Sequence, residues 1–289
     1  MCTLLPHFVL RYRQRRPEVA RDALLAPHGG RSLKLCAVLY PISPIALYRL
    51  LCAFGHHRLV TVLTRCGLPL PTYFLADEQH SRCLTNKVYL PTIVCGRVLW
   101  HLGDTEAAST AAFTQSYREF PQAALQQEPL YRVRGLLTDG LDSTTSSMRT
   151  LFPGARLGNC LRHALNKLPG KRVAIASPGR KALRSPCHTL LYRARQRKGL
   201  RAFALGQRRR HFADRVTQSV GAANGERVRR WFQEKTAGWY VVLAAPQMPV
   251  TSTLLDQAHN AIERKLFAMK GFHHSTGSHQ AFLTGLAHL

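Results

Sequence analysis

The stretch from Tyr131 to Lys167, YRVRGLLTDGLDSTTSSMRTLFPGARLGNCLRHALNK, limits the possible folds more than any other part of the chain. Tyr131 to Thr138 reads as a buried strand, whose apolar run from Val133 stops at Asp139-Gly140. A carboxylate at the end of a buried strand is held in place, and the glycine beside it lets a ligand approach the backbone. Taken alone, the same pair is an Asp-Gly turn. A helix is expected from about Ser143 to Phe152, closed by Phe152-Pro153. Ala155 to Cys160 then makes a short strand. Leu161, Ala164, Leu165 and Leu168 recur at helical spacing up to Pro169-Gly170. Strand, helix, strand, helix in this order points to the α/β class.

Upstream, three more strands are expected. Tyr73 to Ala76 runs into Asp77-Glu78, Val88 to Cys95 follows, and Val98 to Leu102 comes after Gly96. Pro91 pushes the second of these toward a sheet edge. Asp104 is placed to cap a helix on which Phe113, Tyr117 and Phe120 form a core-facing stripe, and Pro121 stops it. Residues 1–30 are Arg-rich without periodicity and read as a basic arm. Ser43-Pro44 opens a helix with Leu47, Leu50, Leu51 and Phe54 on one face, ending at Gly55. Leu59, Val62 and Leu63 make a second. The pair fits a helix-turn-helix or an ordinary helical hairpin. Pro69 and Pro71 mark a boundary, giving an N-terminal helical region over 1–71.

The charge narrows the partner. The chain has 289 residues, and 41 Lys+Arg against 15 Asp+Glu gives +26, which points to a polyanion, most often nucleic acid. No apolar run spans a bilayer and no signal peptide is read, so a membrane partner is not expected. The eight cysteines are scattered with no C-x-x-C pair, which fits reduced thiols in a cytoplasmic setting. A net +15 of the excess falls in residues 171–235. Their apolar residues, including Leu190, Phe203, Trp231 and Phe232, favour a folded, mostly helical basic insertion over a disordered linker. Trp239 to Ala245 then returns to the core as a strand or buried turn, and 236–289 completes the fold. Ser252 or Thr253 caps a strong helix on which Leu255, Ile262, Leu266 and Met269 face the core. Asp256, His259 and Glu263 share its polar face at i, i+3 and i+7.

Three acids stand out: Asp77, Asp139 and Glu263. Each alone has an ordinary surface or turn role. Together they suit hard divalent cations, which take carboxylates held on rigid elements and can activate one oxygen of a phosphodiester while stabilising another. On these residues, with TDG at Thr138–Gly140, FP at Phe152-Pro153, C-x-x-H at Cys160 and His163, and N-x-x-E at Asn260 and Glu263, the sequence resembles the DDE transposases of bacterial insertion sequences, in the group akin to Mutator-like elements. The resemblance extends over about 72–289. It implies an RNase H-like mixed sheet flanked by helices, with 72–170 and 236–289 forming the catalytic core around the insertion. It implies metal-dependent DNA strand cleavage and strand transfer at the ends of a mobile element. It also implies two Mg²⁺ or Mn²⁺ ions on Asp77, Asp139 and Glu263, with His163 near the scissile phosphate. The partners implied are double-stranded DNA at element ends and target, and other copies of the chain assembled on DNA in the nucleoid. Asp77 is followed by Glu78, and Asp142 lies three residues past Asp139, so each of these acids has a neighbour of the same kind. The long separation of Asp139 from Glu263 requires 171–235 to be inserted. One C-x-x-H supplies two zinc ligands where a structural site needs four. By analogy with transposases that stack an extruded base on a Trp of the inserted domain, Trp231 is expected to do so here. The competing reading is a non-catalytic basic nucleic-acid-binding protein, including a transposase that has kept only DNA binding. It explains the charge and leaves the strand-end acids unexplained.

The basic segment generates a direct expectation. Arg193, Arg195, Arg197, Lys198, Arg208, Arg209 and Arg210 should grip the DNA backbone, so affinity should fall steeply with added salt through counterion release. A titration of duplex binding at several salt concentrations checks this, and an affinity indifferent to salt removes the expectation.

Overall fold

A computed structural model describes residues 17–28, 31–83, 86–167, 210–211, 214–215, 217–218, 221–245, 247–268 and 283–284. Within them lies a five-stranded mixed sheet flanked by helices. The strands are β1 (Tyr73–Cys83), β2 (Asn86–Cys95), β3 (Val98–Leu102), β4 (Gly135–Thr138) and β5 (Arg156–Asn159), in the spatial order β3-β2-β1-β4-β5. The first three form an antiparallel meander, and β4 and β5 join it in parallel with β1. Four helices precede the sheet: α1 (Pro17–His28), α2 (Leu33–Leu39), α3 (Pro44–Gly55) and α4 (Leu59–Arg65). Helices α5 (Thr110–Tyr117) and α6 (Glu119–Gln127) connect β3 to β4, and α7 (Asp142–Leu151) connects β4 to β5. After β5 come α8 (Leu161–Lys167), α9 (Ala222–Ala244) and α10 (Thr253–Ala268).

Alternation along β1 and β4 divides the core. Phe74, Ala76 and Leu136 face one side and bury Phe113, Tyr117, Phe120 and Met148 from α5, α6 and α7. Leu75 and Leu137 face the other and bury Leu161, Phe232, Trp239, Val242 and Leu255 from α8, α9 and α10. A further cluster joins Leu47, Leu50 and Leu51 of α3 to Val88 and Leu90 of β2 and Ile262 of α10. Leu47, Leu50 and Leu51 of the expected α3 stripe and Phe113, Tyr117 and Phe120 of the α5–α6 stripe are thus buried.

Several expectations are corrected. Part of the basic arm is helix α1, and α2 follows it before the expected pair. Strand β1 does not end at Ala76; it continues for seven residues, paired only with β2 beyond that point. Strand β4 begins at Gly135 rather than Tyr131. Pro91 sits on an interior strand. Its carbonyl faces β3, where it accepts from Gly103 N–H at 2.8 Å, so its missing N–H falls in the gap between the Thr92↔Leu102 pair and the isolated Tyr89↔Thr105 bridge. Ser109, not Asp104, caps α5. Pro121 does not stop a helix but occupies the first turn of α6, where no N–H partner is needed. Residues 239–244 are helical, and α9 runs unbroken across the expected boundary at 235/236, because Phe232, Trp239 and Val242 recur on one helical face.

Glycines set how closely α9 lies on β5. A Cβ on Gly158 would stand 2.4 Å from Val242 Cγ2 and 2.8 Å from Met248 Cε, and one on Gly238 would stand 2.7 Å from Asn159 Nδ2. Replacing Gly158 with Ala should therefore push the helix off the sheet and cost about 1–3 kcal/mol, read as a lower midpoint in chemical denaturation. An unchanged midpoint is incompatible with this packing.

Candidate metal centre

The last β1–β4 pair is Ala76↔Thr138, so the chain leaves β4 with Asp139 level with Asp77. Gly140, at φ 92°, turns the backbone sharply, and Asp139 Oδ1 accepts the Leu141 N–H at 2.7 Å to fix the turn. Helix α7 begins one residue later. Its Thr144 donates to Glu78 Oε2 at 2.5 Å, and Glu78 N–H donates to Asp77 Oδ1 at 2.9 Å. Tyr117, fully buried on α5, donates its hydroxyl to the Asp77 carbonyl at 2.6 Å and braces β1 from the face that α5 shares with α7. Asp77 and Glu78 project to opposite faces of one strand. Both reach Asp139 because β4 has ended there. Carboxylate oxygens of Asp77, Glu78 and Asp139 come within 4.8 Å of one another.

Three acids so close are electrostatically costly. Burial first, then the nearby Asp139 and Glu78 carboxylates, hold the Asp77 carboxyl well above its ordinary range. Burial likewise pushes Glu78 up to about 7, against the opposing hydrogen bond from Thr144. An all-oxygen, desolvated donor set of this kind can hold a hard divalent cation, whose charge would replace the protons.

The opposite wall comes from α8 and α10. Asp256, in the first turn of α10, acts electrostatically on Asp77 and pairs with Arg162 Nη1 at 3.6 Å. Arg162 also reaches Thr253 Oγ1 at 3.4 Å, and Leu161 N–H donates to the Val250 carbonyl at 3.2 Å. His163 is half-buried. Its hydrogen bond with Cys160 raises its pKa against the effect of burial, and the charges of Asp139 and Asp256 add to the rise. Cys160 Sγ accepts the N–H groups of His163 at 3.4 Å and Ser252 at 3.3 Å. Burial alone would raise the Cys160 thiol, but hydrogen bonds with the His163 and Ser252 side chains, and after them these two N–H groups, outweigh it and bring the thiol below its usual value.

The sequence-derived residues divide as follows. Asp77 and Asp139 meet, joined by Glu78, which the sequence offered only as a rival neighbour. His163 borders them. Glu263 lies exposed on α10, two turns beyond Asp256 and about 10 Å further along the axis. The reason is the course of the helix: Leu255 packs with the sheet cluster beside the pocket, whereas Ile262 packs with the N-terminal helices. The acid that α10 directs at Asp77 is Asp256, which shares Glu263's helical face. Trp231 is half-buried against the core, its ring centroid 5.2 Å from that of Phe232 and 5.6 Å from that of Trp239. Arg210 is exposed on a helical turn, and Arg193, Arg195, Arg197, Lys198, Arg208 and Arg209 lie outside the described residues. Among the described residues, the one group of His, Cys, Asp and Glu with metal-ligand spacing is the carboxylate cluster; Cys160 and His163 belong to no such group. No helix among them is long and apolar enough to cross a membrane. No protein-family model and no curated protein matches the chain.

The raised carboxyl pKa values fix a pH dependence. A carboxyl that binds its proton more tightly when folded stabilises the fold fully below its unfolded value. That stability is lost as pH rises from 4.5 through about 7 for Glu78. Chelator-treated protein should lose on the order of 2 kcal/mol between about pH 5 and about pH 8 relative to Glu78→Gln. Adding Mg²⁺ or Mn²⁺ above neutrality should restore it. The comparison with Glu78→Gln cancels the buried His101 and the half-buried His259, whose charged forms burial disfavours in both proteins. Equal pH profiles for the two proteins would mean that Glu78 is an ordinary exposed acid.

Proposed function

We propose that this protein is a metal-dependent polynucleotidyl transferase of the DDE transposase kind, cutting and joining DNA strands at the ends of a mobile element. The observation that carries this reading is the convergence of Asp77, Glu78 and Asp139 within 4.8 Å beside a chain of net charge +26. A solvated acidic patch would do nothing for a basic protein. A buried one in a protein built to attract polyanions provides cation sites where phosphodiesters arrive. The strand order supports an RNase H-like core: an antiparallel meander followed by two parallel strands, with acids on β1 and just past β4.

In this reading Asp77, Asp139 and Asp256, assisted by Glu78, hold two Mg²⁺ or Mn²⁺ ions. The ions supply activation of the attacking oxygen and stabilisation of the departing one. Tyr117 and Thr144 hold β1 and the Glu78 carboxylate still, so ligand geometry is set before DNA binds. Arg162 neutralises Asp256 until a cation does so. His163, bordering the acids, meets the anionic strand. Exposed Arg227 and Arg230 on α9, with Arg210, extend a basic surface for double-stranded DNA. Element ends are brought together by copies of the chain assembled on DNA in the nucleoid.

Cleavage of a labelled duplex in the presence of Mg²⁺ or Mn²⁺ tests the reading. Asp77→Asn and Asp139→Asn should each lose activity by more than the roughly 10–100-fold typical of changes outside a ligand shell, while duplex binding survives. Asp256→Asn should be affected as severely, and Glu263→Gln far less. Full inactivation by Glu263→Gln with an active Asp256→Asn would make Glu263 the third ligand. Duplex binding without cutting under any metal leaves a binding protein only.

A further inference from the structure

Ser252 directly precedes α10, where a serine ordinarily turns its hydroxyl onto the N–H groups of the first helical turn. It does not do so here. The Leu255 and Asp256 N–H groups are taken by the Ser252 backbone carbonyl, at 2.9 and 3.0 Å. The hydroxyl turns instead to His163 Nδ1 at 2.9 Å and to Cys160 Sγ at 3.4 Å. Ser252 and Cys160 are almost fully enclosed, at 1% and 0% exposure, so neither is a nucleophile open to substrate.

The direction of the hydrogen bonds follows from the sulfur. Cys160 Sγ already receives two backbone N–H groups, whose direction cannot reverse. That surrounding favours sulfur as acceptor, so the Ser252 O–H donates to it as well. The Ser252 oxygen must then accept from His163, which puts the proton on Nδ1. Nε2 is left as the ring nitrogen available to a ligand. The lowered Cys160 and raised His163 pKa values agree with this polarity.

We propose that Ser252, backed by Cys160, is a positioning residue that locks His163 in its Nδ1–H form and presents Nε2 toward the carboxylate pocket. The same serine starts the helix that carries Asp256. One residue thus ties the histidine and the acid of that wall to a single point. The link to catalysis rests on the polynucleotidyl reading above; the lock itself does not.

The test is the tautomer. Long-range proton–nitrogen correlation spectra of ¹⁵N-labelled wild-type protein, at an alkaline pH where the ring is neutral, should show His163 Nδ1 protonated and Nε2 bare. The signal is assigned by its loss in His163→Gln. Ser252→Thr should keep this pattern and Ser252→Ala should give a mixture of the two forms. In strand cleavage at saturating DNA, Ser252→Ala should turn over roughly 10–100-fold more slowly, Ser252→Thr should recover most of the rate, and Mn²⁺ uptake measured by calorimetry should match wild type. A bare Nδ1 in wild type, or an unchanged tautomer in Ser252→Ala, overturns the proposal. If no form of the protein cuts DNA, the polynucleotidyl reading falls, and the ring spectrum still decides the role of Ser252.

Discussion

The parallel ladder between β1 and β4 is the interaction on which the pocket depends. It ends at Ala76 and Thr138, and that ending does two things. It sets Asp139 beside Asp77, and it frees the lateral edge of β1 just where Glu78 must reach around the sheet. Backbone hydrogen bonds, which are indifferent to side-chain charge, thereby hold three carboxylates together against their repulsion. The surrounding polar contacts serve the same end: Tyr117 on the Asp77 carbonyl, Thr144 on Glu78, and the Leu141 N–H on Asp139. Each keeps an acid where a cation, not water, would neutralise it.

The β4–α7–β5–α8 unit was legible because its signals are local. An apolar run, an Asp-Gly turn and a 3.6-residue stripe each declare themselves within ten residues or so. The burial of Phe113, Tyr117 and Phe120 was legible for the same reason. The length of β1 was not. DEQHSR carries no apolar alternation, and only pairing with the apolar strand β2 makes it a strand. Nor was α9. Its apolar end, Trp239 to Leu243, has the residues of a strand, and a helix forms because Phe232, Trp239 and Val242 together cover Leu137 and Gly158.

The site was legible in two of its acids. Asp139 stands just past a strand, as the Asp-Gly turn pattern says it should, whereas Asp77, expected at a strand's end, lies inside β1 where its pairing with β4 stops. Asp256 and Glu263 could not be separated by pattern, because seven residues on a helix return to the same face. Which turn of that face meets the pocket is decided by what the helix lies on. Leu255 lies in the sheet cluster and Ile262 in the cluster of the N-terminal helices, a tertiary fact with no local sequence signature. Ser252 was legible as a helix start, but the diversion of its hydroxyl was not.

Helix α9 has a mechanical consequence. At 23 residues it is about 34 Å long and hydrogen-bonded throughout. Arg227 and Arg230 are exposed near its start, while Val242 and Gly238 lie close against β5 near its end. Cys160, which anchors Ser252, follows directly on β5. A load applied to the arginine end is carried by a stiff rod rather than absorbed in a loop. It is delivered to the strand that holds the histidine wall of the pocket. Because Val228 and Phe232 are buried in the same core as Trp239 and Val242, the helix cannot yield at one end alone, and its seat on β5 moves only with the whole rod.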